Sequence, residues 1–344
     1  MLAVVPSRRG TSPSESVTHG AAWRRGAEHV SRWARRVAAQ WDQLDALVTS
    51  TRAVDALRHV DRATGYRSAT VVRLHLAAID DLFESGSYDD ALSAADDVLA
   101  DCATRPRPHV EAASRARGER ARCLARLDRY DESIDEFTCS LDDATRVPTA
   151  DTWRLSLRYS LALTRRDVGE LQASTAELRA LVPEMAKVFG EHSSWLVSTV
   201  TELATNVALD GDVPTAIAMV SAELPGASFH RGPLSREALT LRSKIARWTL
   251  AEGGDDPRGL RLAAAAVVDF TRAGLATCAE AFELRFLYAD SLLEVGEVDY
   301  GIAQLSSLLD DLVGSRWAVS DFTEAVTAQL EEWRDVQRGG AARE

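Results

Sequence analysis

The sequence predicts an all-α protein built from a series of helix pairs, and its composition, repeats and apolar spacing all support this. Hydrophobic residues make up 46% of the 344 residues and charged residues 27%, which is typical of a folded chain with a buried core. Aromatic residues account for 6%, and the chain has 20 Gly and 10 Pro. This composition favours helices over strands and turns.

A short turn motif recurs about every 42 residues. The segment 86–92 (GSYDDAL) returns at 128–134 (DRYDESI), and further copies start at Gly211, Gly254 and Gly296. The copy near 167–170 is the weakest. A fixed period of this length is the signature of a helical repeat array, in which each unit buries its apolar face against the next.

Each turn lies between two stretches with helical spacing of apolar residues. Around Gly211 these residues are Val200, Leu203, Ala204 and Val207 before the turn, and Ala216, Ile217, Val220 and Leu224 after it. Spacings of three and four residues indicate amphipathic helices. Glycine supplies the left-handed conformation that ends the first helix of a pair. We therefore predict about six helix pairs within residues 68–313.

These residues resemble the tetratricopeptide repeat (TPR) family. The positions that carry the resemblance are Val200, Leu203, Ala204, Val207, Gly211, Val213, Ala216 and Val220. The 42-residue period and the segment 189–192 (FGEH) are similar to the longer variety found in kinesin light chains and in related bacterial regulators. The resemblance implies a right-handed α-α superhelical solenoid that binds other proteins.

Both ends of the array carry additional predicted segments. Residues 1–20 are rich in Ser, Thr, Pro and Gly and are expected to be disordered. Residues 21–62 form a predicted basic helical extension, and residues 317–338 a C-terminal capping helix. The extension has a coiled-coil-like apolar seam that includes Trp23, Val30, Val37, Trp41 and Leu44. It either caps the first repeat or binds a partner, including a second copy of the chain.

Composition also limits the function. A net charge of −12 disfavours direct binding to nucleic acid or anionic membranes. No apolar run approaches the length of a membrane span, and the N-terminus has no charged region typical of a secretory signal. The four Cys have no disulfide or zinc spacing, and Cys123 is interpreted as a packing residue. We expect a cytoplasmic protein.

No motif predicts catalysis, a metal or a cofactor. The sequence lacks a phosphate loop, a zinc helix, a nucleophile elbow and a calcium loop. Acidic pairs such as Asp80-Asp81, Asp96-Asp97 and Asp310-Asp311 are numerous, but neighbouring helix residues point about 100° apart, so solvated helix faces explain them. We therefore predict that the chain is not an enzyme.

The resemblance implies that the first helix of each pair lines a concave groove. Counting back from the turns predicts a basic groove formed by Arg115, Arg122, Arg126, Arg154, Arg158, Lys244 and Arg247, with Arg165 beside them. Arg forks bind carboxylates, so the predicted partner is a protein or peptide with an acidic segment. Alternatively, these side chains lie along helix surfaces and pair with neighbouring acids. Asn residues that grip a peptide backbone in kinesin-like repeats are replaced here, for example by Glu119 and Glu202.

Two functions remain open on sequence grounds. The first is a non-enzymatic adaptor, in which Arg122 and Arg158 are exposed and can be replaced without loss of stability. The second is a sensory module that binds a peptide or small ligand and controls an associated NTPase, transcription regulator or defence-type effector.

Overall fold

The computed structural model describes residues 69–84, 86–104, 110–148, 150–253, 257–315 and 321–341. The predicted N-terminal segments 1–20 and 21–62, with the seam from Trp23 to Leu44, lie outside the described residues. Over the ranges that are described, every regular element is an α-helix and there is no β-strand. The all-α prediction is therefore confirmed.

The helices follow one another with short turns between them. Their bounds are α1 Ala69–Glu84, α2 Tyr88–Thr104, α3 Val110–Arg126, α4 Tyr130–Ala144, α5 Asp151–Asp167, α6 Leu171–Phe189, α7 Ser194–Leu209, α8 Val213–Arg231, α9 Arg236–Gly253, α10 Pro257–Arg272, α11 Ala279–Glu294, α12 Val298–Val313 and α13 Asp321–Ala341. In the order of the chain, odd-numbered helices up to α11 are the first helices of six pairs, even-numbered ones are the second helices, and α13 follows the last pair.

The turns inside the pairs confirm the period found in the sequence. Each described turn has one residue with a left-handed backbone, at Gly86, Asp128, Gly169, Gly211 and Gly296. Asp128 has φ of 61°, a conformation that Asp tolerates better than most residues. The weak third copy is thus a real turn, centred on Gly169.

A second series of left-handed turns, between the pairs, was not predicted as a repeat. Gly190, Gly232 and Gly274 have φ values of 96°, 100° and 71° and are spaced by 42 residues. The Ser193 hydroxyl accepts a hydrogen bond from the backbone N–H of Leu196 at 3.2 Å, which caps the start of α7. Left-handed turns therefore recur with the same period both within the helix pairs and between them.

The chain divides into two compact units, whose described parts are residues 69–210 and 211–341. In the N-terminal unit, α1, α2 and α3 bury one cluster that includes Ile79, Leu82, Val98 and Ala116. Helices α3, α4 and α5 bury the next cluster, which includes Phe137, Leu157 and Leu161. Successive clusters share helices, so each pair completes its core with the pair that follows.

The C-terminal unit is built in the same way. Leu239 of α9, Phe270 of α10 and Leu284 of α11 meet in one buried cluster. Helix α13 closes the unit through Phe322, Val326 and Leu330, which are 4%, 0% and 2% exposed. Burial of an apolar stripe of this kind is what holds a terminal helix on an array.

Gly118 allows the closest approach between α3 and α5. A Cβ atom at this position would lie 2.4 Å from Cζ2 of Trp153 and 2.6 Å from Cδ2 of Leu157. The indole N–H of Trp153 donates a hydrogen bond to the hydroxyl of Ser114, at 3.2 Å. The indole is therefore fixed in a slot that only glycine leaves open.

We predict that Gly118→Ala destabilises the protein by about 1–3 kcal/mol, because the added methyl overpacks the slot, although Ala is the better helix former by about 1 kcal/mol. Urea unfolding measures the change. Ala125→Gly in the same helix is the control and reports helix propensity alone. A neutral or stabilised Gly118→Ala would contradict the packing described here.

Candidate functional site

Neighbouring first helices lie side by side within each unit. Helix α3 contacts α1 and α5, α5 contacts α7, and α9 contacts α11. Side chains that reach across these contacts form a surface that we call the first-helix face, and it contains Arg115, Arg122 and Arg126 of α3. This surface is where the sequence predicts partner binding.

Arg122 is held by three carboxylates and one aromatic ring. Its guanidinium lies 2.7 Å from Glu119, 3.2 Å from Asp80 and 3.4 Å from Glu84, and 4.0 Å from the centre of the Phe83 ring. Burial lowers the pKa of Arg122, but the charges of Glu119 and Asp80 outweigh it and raise that pKa. Burial raises the pKa of Glu119 more than Arg122 lowers it. Arg122 therefore ties α3 to α1.

Arg115 and Arg126 are much less constrained. The Arg115 side chain is 49% exposed and, among the described residues, pairs only with Glu111, at 3.4 Å, within its own helix. Its guanidinium lies 5.8 Å from the centre of the Trp153 ring. Arg126 is exposed and lies 5.7 Å from the Phe83 ring. No carboxylate among the described residues lies within 4.0 Å of the Arg126 guanidinium. These two groups are accessible to an anionic ligand.

Arg158 lies on a different face of its helix from the one predicted. Its guanidinium contacts Glu177 at 2.6 Å and Glu184 at 2.8 Å, both on α6, the second helix of its own pair. The third repeat is one residue shorter than the others, because Gly169 follows Asp128 by 41 residues. Arg158 follows Arg117 by the same 41 residues. It is therefore the counterpart of Arg117, which also pairs with the second helix of its own pair, and not of Arg115 or Arg122.

The expectation that Arg122 and Arg158 are exposed is therefore wrong. Their side chains are 27% and 26% exposed, and both are engaged with carboxylates. Removing either guanidinium leaves half-buried acids without a counter-charge, so we now expect a loss of stability. Neither residue is suited to a test of partner binding alone.

Arg166, which the sequence analysis overlooked, is the most buried arginine on α5. Its side chain is 6% exposed and its guanidinium contacts Glu202 of α7. It also donates to the side-chain oxygen of Asn206 at 3.3 Å, and Asn206 donates to the hydroxyl of Ser174 at 2.8 Å. Burial lowers the pKa of Arg166, but the charges of Glu202 and Asp167 raise it overall. This network joins α5, α6 and α7.

By contrast, the side chains of Arg154 and Arg165 on the same helix are more exposed. Arg154 is 43% exposed and pairs with Asp151 at 3.1 Å in the first turn of α5. Arg165 is 32% exposed and lies 3.7 Å from Glu170. Exposed pairs of this kind contribute little to stability.

One type of Arg–carboxylate pair recurs inside the repeats. In each case a first helix contributes the arginine and the second helix of the same pair contributes an acid near its C-terminal end. The pairs are Arg117–Asp143, Arg158–Glu184 (2.8 Å), Arg242–Asp269 (2.7 Å) and Arg285–Asp311 (2.6 Å). The sequence had led us to expect Asp311 to be solvated, whereas Asp143 was not considered. Their near-42-residue spacing was the signal that could have identified them as paired.

In the C-terminal unit, the predicted groove residues are also engaged. Arg247 contacts Glu283 of α11 at 2.6 Å, and the two side chains are 12% and 10% exposed. The Lys244 ammonium lies 5.7 Å from the centre of the Trp248 ring. Arg247 thus joins neighbouring first helices, as Arg122 does in the N-terminal unit.

The four cysteines differ in exposure, since Cys139 is exposed and Cys278 is half-buried. Cys102 and Cys123 are buried, and burial, together with the charge of Glu119, raises the pKa of the Cys123 thiol to about 12. Cys123 is therefore a protonated packing residue. In the described part of the chain, no group of three His, Cys, Asp or Glu side chains is arranged to hold a metal, and no helix has the length and apolarity needed to cross a membrane.

We predict that Arg166→Ala destabilises the protein by about 3 kcal/mol, since it leaves Glu202 partly buried without its counter-charge. Arg154→Ala, the matched control on the same helix, should change stability by less than about 0.5 kcal/mol. Urea unfolding of both variants measures the difference. Equal effects would contradict the distinction between buried and exposed pairs.

Comparison with known proteins identifies the fold. No protein-family model matches the chain, and no curated protein matches it in sequence. Among solved structures, a tetratricopeptide repeat protein from Parabacteroides merdae superposes with a TM-score of 0.54 at 11% identity, covering 88% of this chain and 99% of that one. The apo form of RapI superposes with a TM-score of 0.55 at 12% identity, covering 76% and 91%.

Two further structures extend the comparison. BtubC (BKLC) from P. vanneervenii has a TM-score of 0.53 at 16% identity, covering 67% of this chain and 89% of that one. A Rap protein complexed with competence and sporulation factor has a TM-score of 0.53 at 9% identity, covering 94% and 90%. Together with the 42-residue pattern of helix pairs, these likenesses show that the chain has the fold of the tetratricopeptide-like helical repeat proteins.

Proposed function

We propose that this chain is a non-enzymatic scaffold that binds an acidic segment of a partner protein on the first-helix face of α3. The observation that carries the proposal is the contrast among the arginines of this face. Arg122 is surrounded by carboxylates, whereas Arg115 and Arg126, on either side of it along the helix, are exposed. In the described part of the chain, the ion-pair partner of Arg115 is an exposed acid of its own helix, Glu111.

The geometry favours a carboxylate ligand. Arg115 and Arg126 are eleven residues apart on one helix, or about 16 Å along its axis. Each guanidinium lies near an aromatic ring, and this contact orients its N–H groups at little cost in side-chain freedom. Two oriented forks at this separation suit an extended segment with acidic residues at both ends. Arg154 adds a third accessible charge on α5.

The scaffold role agrees with the fold, since a surface made of neighbouring first helices is rigid and long compared with a peptide. We place this activity in the cytoplasm. A right-handed array over residues 68–313, with residues 317–338 as its cap, remains part of the proposal.

We predict that the double variant Arg115→Glu, Arg126→Glu loses binding of a fluorescein-labelled octaglutamate peptide by at least about tenfold, because two charge-assisted hydrogen-bonding groups are reversed. Fluorescence anisotropy at 50 mM salt measures the affinity. The matched control is Arg179→Glu, Arg261→Glu, which makes the same change in net charge at two exposed positions on second helices.

Equal losses in the two double variants would show that only net charge matters, and would contradict a specific site on α3. Capture from a lysate of the native cell, analysed by mass spectrometry, then tests whether a natural partner is lost from the α3 variant and kept by the control.

A second candidate function is a ligand-sensing regulatory module. The observation that favours it is the likeness to a Rap protein complexed with competence and sporulation factor, which extends over 94% of this chain. In this function, a peptide bound to the first-helix face changes the arrangement of the helices and so controls an effector such as an NTPase, a transcription regulator or a defence-type effector.

The two functions differ in the response to ligand. For a sensor, we predict that a bound peptide changes the radius of gyration measured by small-angle X-ray scattering. For a scaffold, the radius stays constant within error while the peptide binds. The α3 double variant, measured with the same peptide, separates an effect of binding from an effect of added solute.

A further inference from the structure

The C-terminal helix α13 is attached to the rest of its unit mainly by apolar contacts. Phe322, Val326 and Leu330 are buried, and the rings of Phe322 and Phe286 of α11 are 5.5 Å apart. Polar contacts at the outer turns include Arg334 with the hydroxyl of Ser306, at 3.1 Å. The apolar contacts do not depend on pH, so a pH response of α13 has to come from its polar contacts. These include two acids, Asp299 of α12, which accepts a hydrogen bond from Gln337, and Asp290 of α11.

At that contact, an acid of α11 is covered by α13. The side-chain amide of Gln329 donates a hydrogen bond to Asp290. Glu294 lies one turn further along α11, and Glu332 lies on α13, three residues after Gln329. Burial, then the charge of Glu294 and that of Glu332, raise the pKa of Asp290 to about 6, although the hydrogen bond from Gln329 lowers it.

Three arginines on the described helices α9, α11 and α13 have carboxylate partners of their own. Arg338 pairs with Asp335 inside α13, at 3.3 Å, and Arg285 of α11 pairs with Asp311 of α12. Arg247 of α9 pairs with Glu283, two turns before Asp290. None of them is among the groups that act on the Asp290 carboxyl. Among the described residues, the charged groups that act on it are Glu294 and Glu332, and both are acids.

We propose that Asp290 makes the docking of α13 dependent on pH, so that the helix is held more tightly in mildly acidic solution than at neutral pH. Docking buries the Asp290 carboxyl beside two other acids, which costs free energy when it is ionised and much less when it is protonated. Release of α13 uncovers the ring of Phe286 and the apolar surface beneath Val326 and Leu330. The unit would then present an apolar end at neutral pH more often than at pH 5.

The direction follows from linkage. The pKa of Asp290 is raised in the docked state to about 6 and returns towards its ordinary value of about 3.8 when α13 is released. Docking is therefore strengthened as the pH falls through 6 and is weakest above 7. Between pH 7.5 and pH 5, these two values give a change in the docking equilibrium of about tenfold.

Hydrogen–deuterium exchange of the full chain tests this proposal. After correction for the intrinsic exchange rates, we expect the backbone amides of residues 322–333 to open about tenfold less often at pH 5 than at pH 7.5. In Asp290→Asn, which keeps the hydrogen-bonding shape without the charge, protection should be high at both pH values. Asp310→Asn removes one charge from an exposed site on α12 and should behave like the unmodified chain.

A second variant guards against an indirect effect of the Asp290 substitution. Glu332→Gln removes one of the two repelling charges and should reduce the pH difference without abolishing it. The proposal is overturned if the unmodified chain shows no pH difference in α13, or if Asp290→Asn retains the full difference. It is also overturned if the pH difference extends equally over α9, α10 and α12.

Discussion

Within each compact unit, a helix pair buries one apolar face inside the pair and another against the next pair. Helix α3, for example, completes the core below α1 and α2 and then begins the core with α4 and α5. This requirement explains why the repeats stack, why small residues such as Gly118 stand where helices approach, and why the final pair needs α13. Left-handed turns recur about every 42 residues, so successive helix pairs have nearly the same length.

The second constraint is charge. The chain carries 52 acidic and 40 basic residues, and the structure brings most of the first-helix arginines against acids. Arg117 and Arg285 bind the second helix of their own pair, whereas Arg122 and Arg247 bind a neighbouring first helix. Such pairs fix which helix faces which, while their net contribution to stability is small after desolvation. What they leave accessible, chiefly Arg115 and Arg126, is what defines the candidate site.

The repeat architecture could be predicted from the sequence because its signals lie close together in the chain. Each helix pair contains them all: a turn residue, a small residue five positions later, and apolar residues spaced by three or four. The candidate site could be predicted only in part. Arg115 and Arg126 lie exposed on α3, whereas Arg158 is the counterpart of Arg117 in the next repeat and pairs with the second helix.

Ion pairing was harder to foresee, since it depends on contacts between residues far apart in sequence. Arg166 meets Glu202 across 36 residues, and Arg122 meets Asp80 across 42. A list of basic positions does not say which of them are neutralised. That information lies in the spacing of arginines and acids relative to the turns. This spacing can be interpreted once the ion pairs are known from the structure.

The most direct test of the central claim is a map of where a partner protects the chain. Hydrogen–deuterium exchange should be compared for the chain alone and for its complex with a captured partner protein. Our account predicts new protection in residues 111–126 of α3 and in the facing turns of α5. Protection confined to the second helices α2, α4 and α6, with α3 unchanged, would contradict it.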